Sequence, residues 1–174
     1  MKNNVMQEAS DKVKSLANLK STSEYTELEQ LHQEGITPVK AYELTGSIKG
    51  RANIVSRIRE LLENAEKEVV ICTSVLDFED KSRAIIPAIE KLNQNNIKVK
   101  IALSGEEDKI KKLNTKHNLK AKYSESQSRM FIADKKEVLF MVTPEKSEEE
   151  IAVWLNSPFF TSSLAGLFEQ SLKA

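Results

Sequence analysis

Between residues 5 and 19 the apolar side chains Val5, Ala9, Val13, Leu16 and Leu19 recur at spacings of four, four, three and three. That rhythm draws one stripe along a helix. The stripe stops at Ser21-Thr22-Ser23, where Ser21 with Glu24 three residues on predicts a capping box and a second short helix carrying Leu28 and Leu31, ended by Gly35. Two arrangements satisfy the first stripe, packing on the chain's own domain or a two-chain coiled coil; the coiled coil is adopted here, making the five residues a dimerisation seam.

From Ile36 onward the rhythm changes to short apolar runs alternating with amphipathic stretches. PVKAYELTG is expected to be a strand turning at Gly46. In the following helix Ile54, Ile58, Leu61, Leu62 and Ala65 share one face, with Arg59, Glu60 and Glu63 opposite. EVVICTS is apolar enough for a strand buried on both sides. A helix over FEDKSRAIIPAIEKLNQNN follows, kinked or shortened by Pro87, and then a strand in IKVKIALSG. EEDKIKKLNTKHN predicts a polar helix, LKAKYSE a strand, and SRMFIAD with EVLFMVT a hairpin turning at Lys135-Lys136. The strand IAVWLNS leads into a helix capped at Asn156-Ser157-Pro158, with Phe160, Leu164, Leu167 and Phe168 on its inner face. The alternation implies an α/β layered fold with a mostly parallel sheet and one antiparallel hairpin, divided into a helical segment at 1–33 and an α/β domain at 34–174.

Composition narrows the functions available. Lys+Arg and Asp+Glu both number 26, so no net charge holds the chain on a phosphate backbone or an anionic bilayer. No apolar run approaches the roughly 18 residues of a membrane span, and the start lacks a signal peptide's apolar stretch, so a cytoplasmic location without membrane association is expected. The single cysteine, Cys72, lies in an apolar run and is read as a small buried hydrophobe. His32 and His117 stand apart in polar surroundings and are read as solvated. No metal and no cofactor is expected.

In open α/β sheets, ligands favour the crevice beyond the carboxyl ends of the strands. The ends of these runs supply Ser74, Ser104, Asn156 and Ser157, and the segment QSRMFIAD adds Arg129 and Asp134. These six are the candidate ligand-binding residues, with Arg129 expected to suit an anion. Gly105-Glu106-Glu107-Asp108 is read as the acidic first turn of a helix. Lys109, Lys111, Lys112, Lys116, Lys120 and Lys122 are read as a solvated face. A competing reading makes residues 36–62 a helix-turn-helix with Lys49, Arg51, Arg57 and Arg59 on its recognition helix; Pro38, Val39 and Tyr42 suit a strand better.

Two segments, LTGSIKGRANIVSRIRELLENAEKEVVICTS and LNSPFFTSSLAGLFEQ, with the QSRMFIADKKEVLFMV hairpin between them, carry a family resemblance. Over residues 36–174 the chain resembles the effector region of the TrmB-like family of archaeal transcription regulators, whose core has the phospholipase D-like fold. The resemblance implies a homodimer joined by a coiled coil, a small-molecule effector of unspecified class, and contact with DNA only through a winged helix that residues 1–33 do not provide. Some members respond to sugars through an additional domain, so no ligand class is carried over. Catalytic members of this fold bear the motif H-x-K-x4-D, with histidine as nucleophile. Here Gln127 stands at the histidine position, Arg129 at the lysine position, and Asp134 is retained. An amide cannot attack phosphorus and leave, so a non-enzymatic regulatory domain is expected. A ligand-free interaction module and a degenerate phosphodiesterase are its rivals.

Overall fold

The computed structural model describes residues 44–171 continuously and, before them, only residues 12–14, 22, 23, 25, 26 and 29. The chain divides into two units, Met1–Val39 and Lys40–Ala174. In the first unit, Val13 is helical and 66% exposed. Val5, Ala9, Leu16 and Leu19 of the expected seam lie outside the described residues, as do Ser21, Glu24, Gly35 and His32. The cap of the second helix is Thr22: its hydroxyl accepts from the Tyr25 amide at 3.3 Å.

The second unit is a seven-stranded sheet in the order β1-β7-β6-β5-β2-β3-β4. Its strands are β1 (Leu44–Lys49), β2 (Glu68–Ser74), β3 (Lys98–Ser104), β4 (Lys122–Tyr123), β5 (Met130–Ala133), β6 (Glu137–Met141) and β7 (Ile151–Asn156). The helices are α1 (Arg51–Glu63), α2 (Val75–Gln94), α3 (Glu107–His117) and α4 (Pro158–Ser171). Only β2–β3 and β3–β4 pair in parallel; β2–β5, β5–β6, β6–β7 and β1–β7 are antiparallel. The sheet is therefore mixed and not mostly parallel. The parallel pairs β2–β3 and β3–β4 are joined by the crossover helices α2 and α3, while β5, β6 and β7 follow one another through short connections that suit antiparallel pairing.

Alternation along β2 sorts the core into two layers. Val69 and Ile71 join α1, α2 and α3 on one face, with Ile54, Ile58, Leu61, Phe78, Ile85 and Leu113. Val70 and Cys72 join Ile132, Val138 and the α4 residues Ala165 and Phe168 on the other. β2 is buried on both faces, as its apolar run requires. Cys72 is fully buried, and burial pushes its thiol up to about 11 even though a hydrogen bond with Ser126 pulls the other way.

Several local expectations are corrected. Gly46 is not a turn but a mid-strand residue of β1, opposite Trp154 on β7; a Cβ there would lie 2.6 Å from the indole Nε1. Residues 44–49 being a strand of the sheet, and α1 burying its apolar side, removes the helix-turn-helix reading of 36–62. Arg57 is not free for a DNA groove: it pairs with Glu137 and Glu60 and stacks 4.7 Å from the Trp154 ring centroid. α2 starts at Val75, twelve residues before Pro87, which sits on its exposed side where a carbonyl left without a donor meets water. The hairpin turns on Asp134 and Lys135, both at positive φ, and not on Lys135-Lys136. On α4 the inner face is Thr161, Leu164, Ala165 and Phe168, whereas Phe160 and Leu167 are largely exposed.

Candidate functional site

Because β2, β3 and β4 run in parallel, their carboxyl ends open at one end of the sheet. A crevice of about 710 Å³ lies there, bounded by Ser74, Ser104, Tyr123, Gln127, Arg129 and Glu145 among others. Gly105 makes the sharp exit from β3 at φ 120°, a conformation that costs a side-chain-bearing residue, and borders the same space. Ser74 does two jobs: its hydroxyl caps α2 by accepting from the Asp77 amide at 2.9 Å, and it donates to Glu145.

Beneath the crevice lies a buried quartet of charges. Asp77 on α2 accepts from Thr73 Oγ1 at 2.7 Å, from Lys81 Nζ, and from Arg129 at 3.0 Å. Arg129 also donates to the Thr143 carbonyl. Glu150 closes the set, its Oε1 at 3.4 Å from Lys81 and 3.7 Å from Arg129, while its Oε2 has no hydrogen-bond partner among the described residues. Burial alone would raise the Asp77 carboxyl, but hydrogen bonds from Lys81 and Thr73 and the charges of Lys81 and Arg129 outweigh it and hold the group below its ordinary range. Two cations and two anions cancel, which makes their burial tolerable.

The six sequence candidates divide between the two ends of the sheet. Ser74, Ser104 and Arg129 reach the crevice. Asp134 does not: it follows β5 at the far end, where its carboxylate accepts from the amides of Glu66, Lys67 and Glu68 at 2.9, 2.7 and 3.0 Å. Burial opposes ionisation there too, yet those three amides and the Lys136 charge hold the carboxyl below its ordinary range. Asn156 and Ser157 are at that far end as well, since β7 runs antiparallel to β6; Asn156 pairs with Glu137, and the Ser157 amide donates to the Lys136 carbonyl at 3.0 Å. Arg129 is also corrected in role. Only 8% exposed and committed to Asp77 and Thr143, it is not available to an anionic ligand.

Sequence reasoning missed Asp77, Lys81, Glu145 and Glu150. Two signals were present: Ser74-x-x-Asp77 is a helix-start pattern, and Asp77 and Lys81 stand at i,i+4. Nothing local marks Glu150, which reaches the quartet through the fold. Gln127 lines the crevice, so the motif's first position faces this space with an amide. Lys109 there is paired with Glu106 at 3.0 Å. The walls thus offer hydroxyls, an amide, a phenol and carboxylates, with their cations already neutralised. Such a surface complements a ligand rich in hydrogen-bond donors. Among the described residues, no group of three or more His, Cys, Asp or Glu side chains is placed to hold a metal ion, and no helix is long and apolar enough to cross a membrane.

Comparison with known proteins adds a family and a fold. The family model described as "Transcriptional regulator TrmB, EBD N-terminal subdomain" matches residues 46–172. Among curated proteins, no sequence matches the chain. Of solved structures, TrmBL2, an archaeal chromatin protein, is similar with a TM-score of 0.61 at 18% identity, covering 98% of this chain and 68% of that one. The phospholipase D family member Nuc from Salmonella typhimurium gives 0.58 at 13% identity, over 75% of this chain and 95% of that one. NucT from Helicobacter pylori gives 0.58 at 14% identity, over 75% and 96%. These likenesses establish a phospholipase D-like fold.

Proposed function

Since the chain belongs to the TrmB family of transcriptional regulators, we propose that its second unit is a non-enzymatic effector-binding domain whose ligand occupies the crevice at the ends of β2, β3 and β4. The observation that carries this reading is the crevice itself, about 710 Å³, with Gln127 where catalytic relatives of this fold need a nucleophile and with Arg129 locked beneath it. The arrangement supports binding in preference to turnover. The ligand class that fits is small, polar, and neutral or cationic, because Glu106 and Lys109 offset each other and a bound anion would meet Glu125 and Glu145 with no unpaired cation among the described lining residues.

The same reading assigns the regulator's output to population shift. Ligand that binds one arrangement of the domain better than another favours it, and the N-terminal helix, through Val5, Ala9, Val13, Leu16 and Leu19, joins two copies and transmits the change. On this reading DNA recognition is the task of the winged helix that the family resemblance implies, and the role implies a cytoplasmic setting. A thermal-shift screen against neutral sugars, polyamines and phosphorylated metabolites tests it. A ligand at a hundredfold excess over its Kd stabilises the folded state by about 2.7 kcal/mol. A melting-point rise of several degrees with a neutral or cationic compound, abolished by Ser104→Phe, supports the reading. A rise confined to phosphorylated compounds would overturn the neutral or cationic ligand class, and none across the panel favours the ligand-free interaction module.

A further inference from the structure

The lysines of residues 109–122 do not form one face. Lys109, Lys111, Lys112 and Lys116 lie on α3, whereas Lys120 and Lys122 run along the β4 edge. There they meet Lys98 and Lys100 of β3, two residues that sequence proximity does not connect to them. Lys122 pairs with Ala102 across the parallel β3–β4 ladder, and Lys120, two residues earlier and just before β4, borders the same depression as Lys100. Side chains at i and i+2 of a strand point the same way about 6.6 Å apart, and neighbouring strands lie about 4.8 Å apart. The four ammonium groups therefore gather over one depression of about 470 Å³ whose one acidic border among the described residues is Glu169.

Like charges directly across a sheet are destabilising. Their relief here is incomplete. Glu68 and Glu169 both pair with Lys100, and both are shared with Lys135 from the β5–β6 turn. Burial works against the Lys100 charge, but Glu169 and Glu68 more than compensate and raise its pKa. Among the described residues, Lys98, Lys120 and Lys122 have no ion-pair partner. A chain with no net charge has thus concentrated unpaired positive charge on one sheet edge.

We propose that this lysine ladder is a second binding surface, one that contacts the phosphodiester backbone of duplex nucleic acid without reading its sequence. The surroundings select that partner. No arginine fork borders the depression, so base edges and phosphates are not gripped bidentately. Val99 and Ile101, which border it, place their side chains in the core on the opposite face, leaving no apolar side chain among the described lining residues to insert into a bilayer. No aromatic side chain is among the described residues that border the depression, and Tyr123, next to Lys122, lines the crevice and a hollow beside α3 instead, so unpaired bases find no stacking platform. What remains is a row of point charges on long stems, suited to a regular array of phosphates. The inference does not depend on the effector reading, since the ladder and the crevice share no lining residue.

Fluorescence anisotropy of the full chain with short duplexes of two unrelated sequences tests the proposal. Three phosphate contacts predict a logarithmic salt slope of about −2.7, hence an affinity loss of about 40-fold between 50 and 200 mM salt, equal for both sequences. Lys98→Gln with Lys122→Gln should flatten the slope by about 1.8. Lys111→Gln with Lys112→Gln on exposed α3 should leave the slope unchanged, and circular dichroism of both variants verifies folding. The proposal is overturned if the duplexes do not bind at low salt, if the first variant binds like wild type, or if the two pairs of substitutions weaken binding equally. It is also overturned if vesicles containing about one third phosphatidylserine bind as tightly as duplex and with the same dependence on Lys98 and Lys122. Self-association of the first variant without loss of DNA affinity would make these lysines guards of the β4 edge and nothing more.

Discussion

Replacing Asp77 by asparagine should be among the most damaging single substitutions in the second unit. The carboxylate is 3% exposed and is the point where Thr73, Lys81 and Arg129 converge. Without its charge, Lys81 and Arg129 remain buried with Glu150 as their sole counter-ion, and Glu150 reaches them only at 3.4 and 3.7 Å. Removing one member of a buried ion pair costs about 3–5 kcal/mol, mostly from the uncompensated charge left behind. For a domain of this size that corresponds to a fall in Tm of about 10–15 °C. Urea unfolding followed by circular dichroism measures it. Arg129→Met should cost a similar amount, and the double variant should be less destabilised than the two losses summed, by about 2 kcal/mol, because it restores the balance of Lys81 with Glu150. The gap between wild type and Asp77→Asn should also depend on pH. A carboxyl whose folded pKa is lowered stabilises above its unfolded value near about 3.9 and loses that contribution as pH falls through the folded value. The gap is therefore full at neutral pH and closes in acid. A loss under about 1 kcal/mol for Asp77→Asn, or strict additivity with Arg129→Met, would refute the claim that these four charges form one buried unit.

Three other outcomes follow from the packing. Gly46→Ala puts a Cβ against the Trp154 indole and should destabilise by about 1–3 kcal/mol in the same urea assay, whereas Gly166→Ala, which meets nothing within 4 Å, should not destabilise. Asp134→Ala removes the acceptor of three amides and a left-handed position that aspartate tolerates, for a loss of about 2–4 kcal/mol, while ligand affinity at the crevice stays the same once folding is verified. Cys72, with its thiol pushed up to about 11 and no exposure, should react with a thiol reagent at mildly alkaline pH only on unfolding; rapid native-state reaction would contradict its placement in the core.

Which parts of this were legible in the sequence follows from the range of the forces involved. The apolar run of β2 and the helical stripe of α1 state their own burial, and both elements formed where that pattern placed them. Direction was not legible. The rule that ligands gather at strand carboxyl ends holds for strands running together, but β7 is reversed, so Asn156 and Ser157 went to the far end with Asp134. Arg129 and Asp134 are separated by the whole of β5, about 16 Å of extended chain, so a motif continuous in sequence spans the sheet from one end to the other. The α4 face was misjudged for another reason: its Phe, Leu, Ser and Thr residues carry no charge from Pro158 to Phe168, and without charge the hydropathy pattern cannot orient a helix. The quartet was missed because Arg129 meets Asp77, and Glu150 meets Lys81 and Arg129, only through tertiary contacts.

Mapping backbone amide shifts in a ¹H–¹⁵N spectrum, while titrating the compound that stabilises the chain in the thermal screen, tests most directly whether the crevice is the sensing site. The account predicts saturable shifts clustered at Ser74–Leu76, Ser104–Lys109 and Tyr123–Arg129, with Asp134, Asn156 and Ser157 unmoved. Shifts concentrated at Asp134, Asn156 and Ser157, or consumption of the compound during the titration, would contradict it.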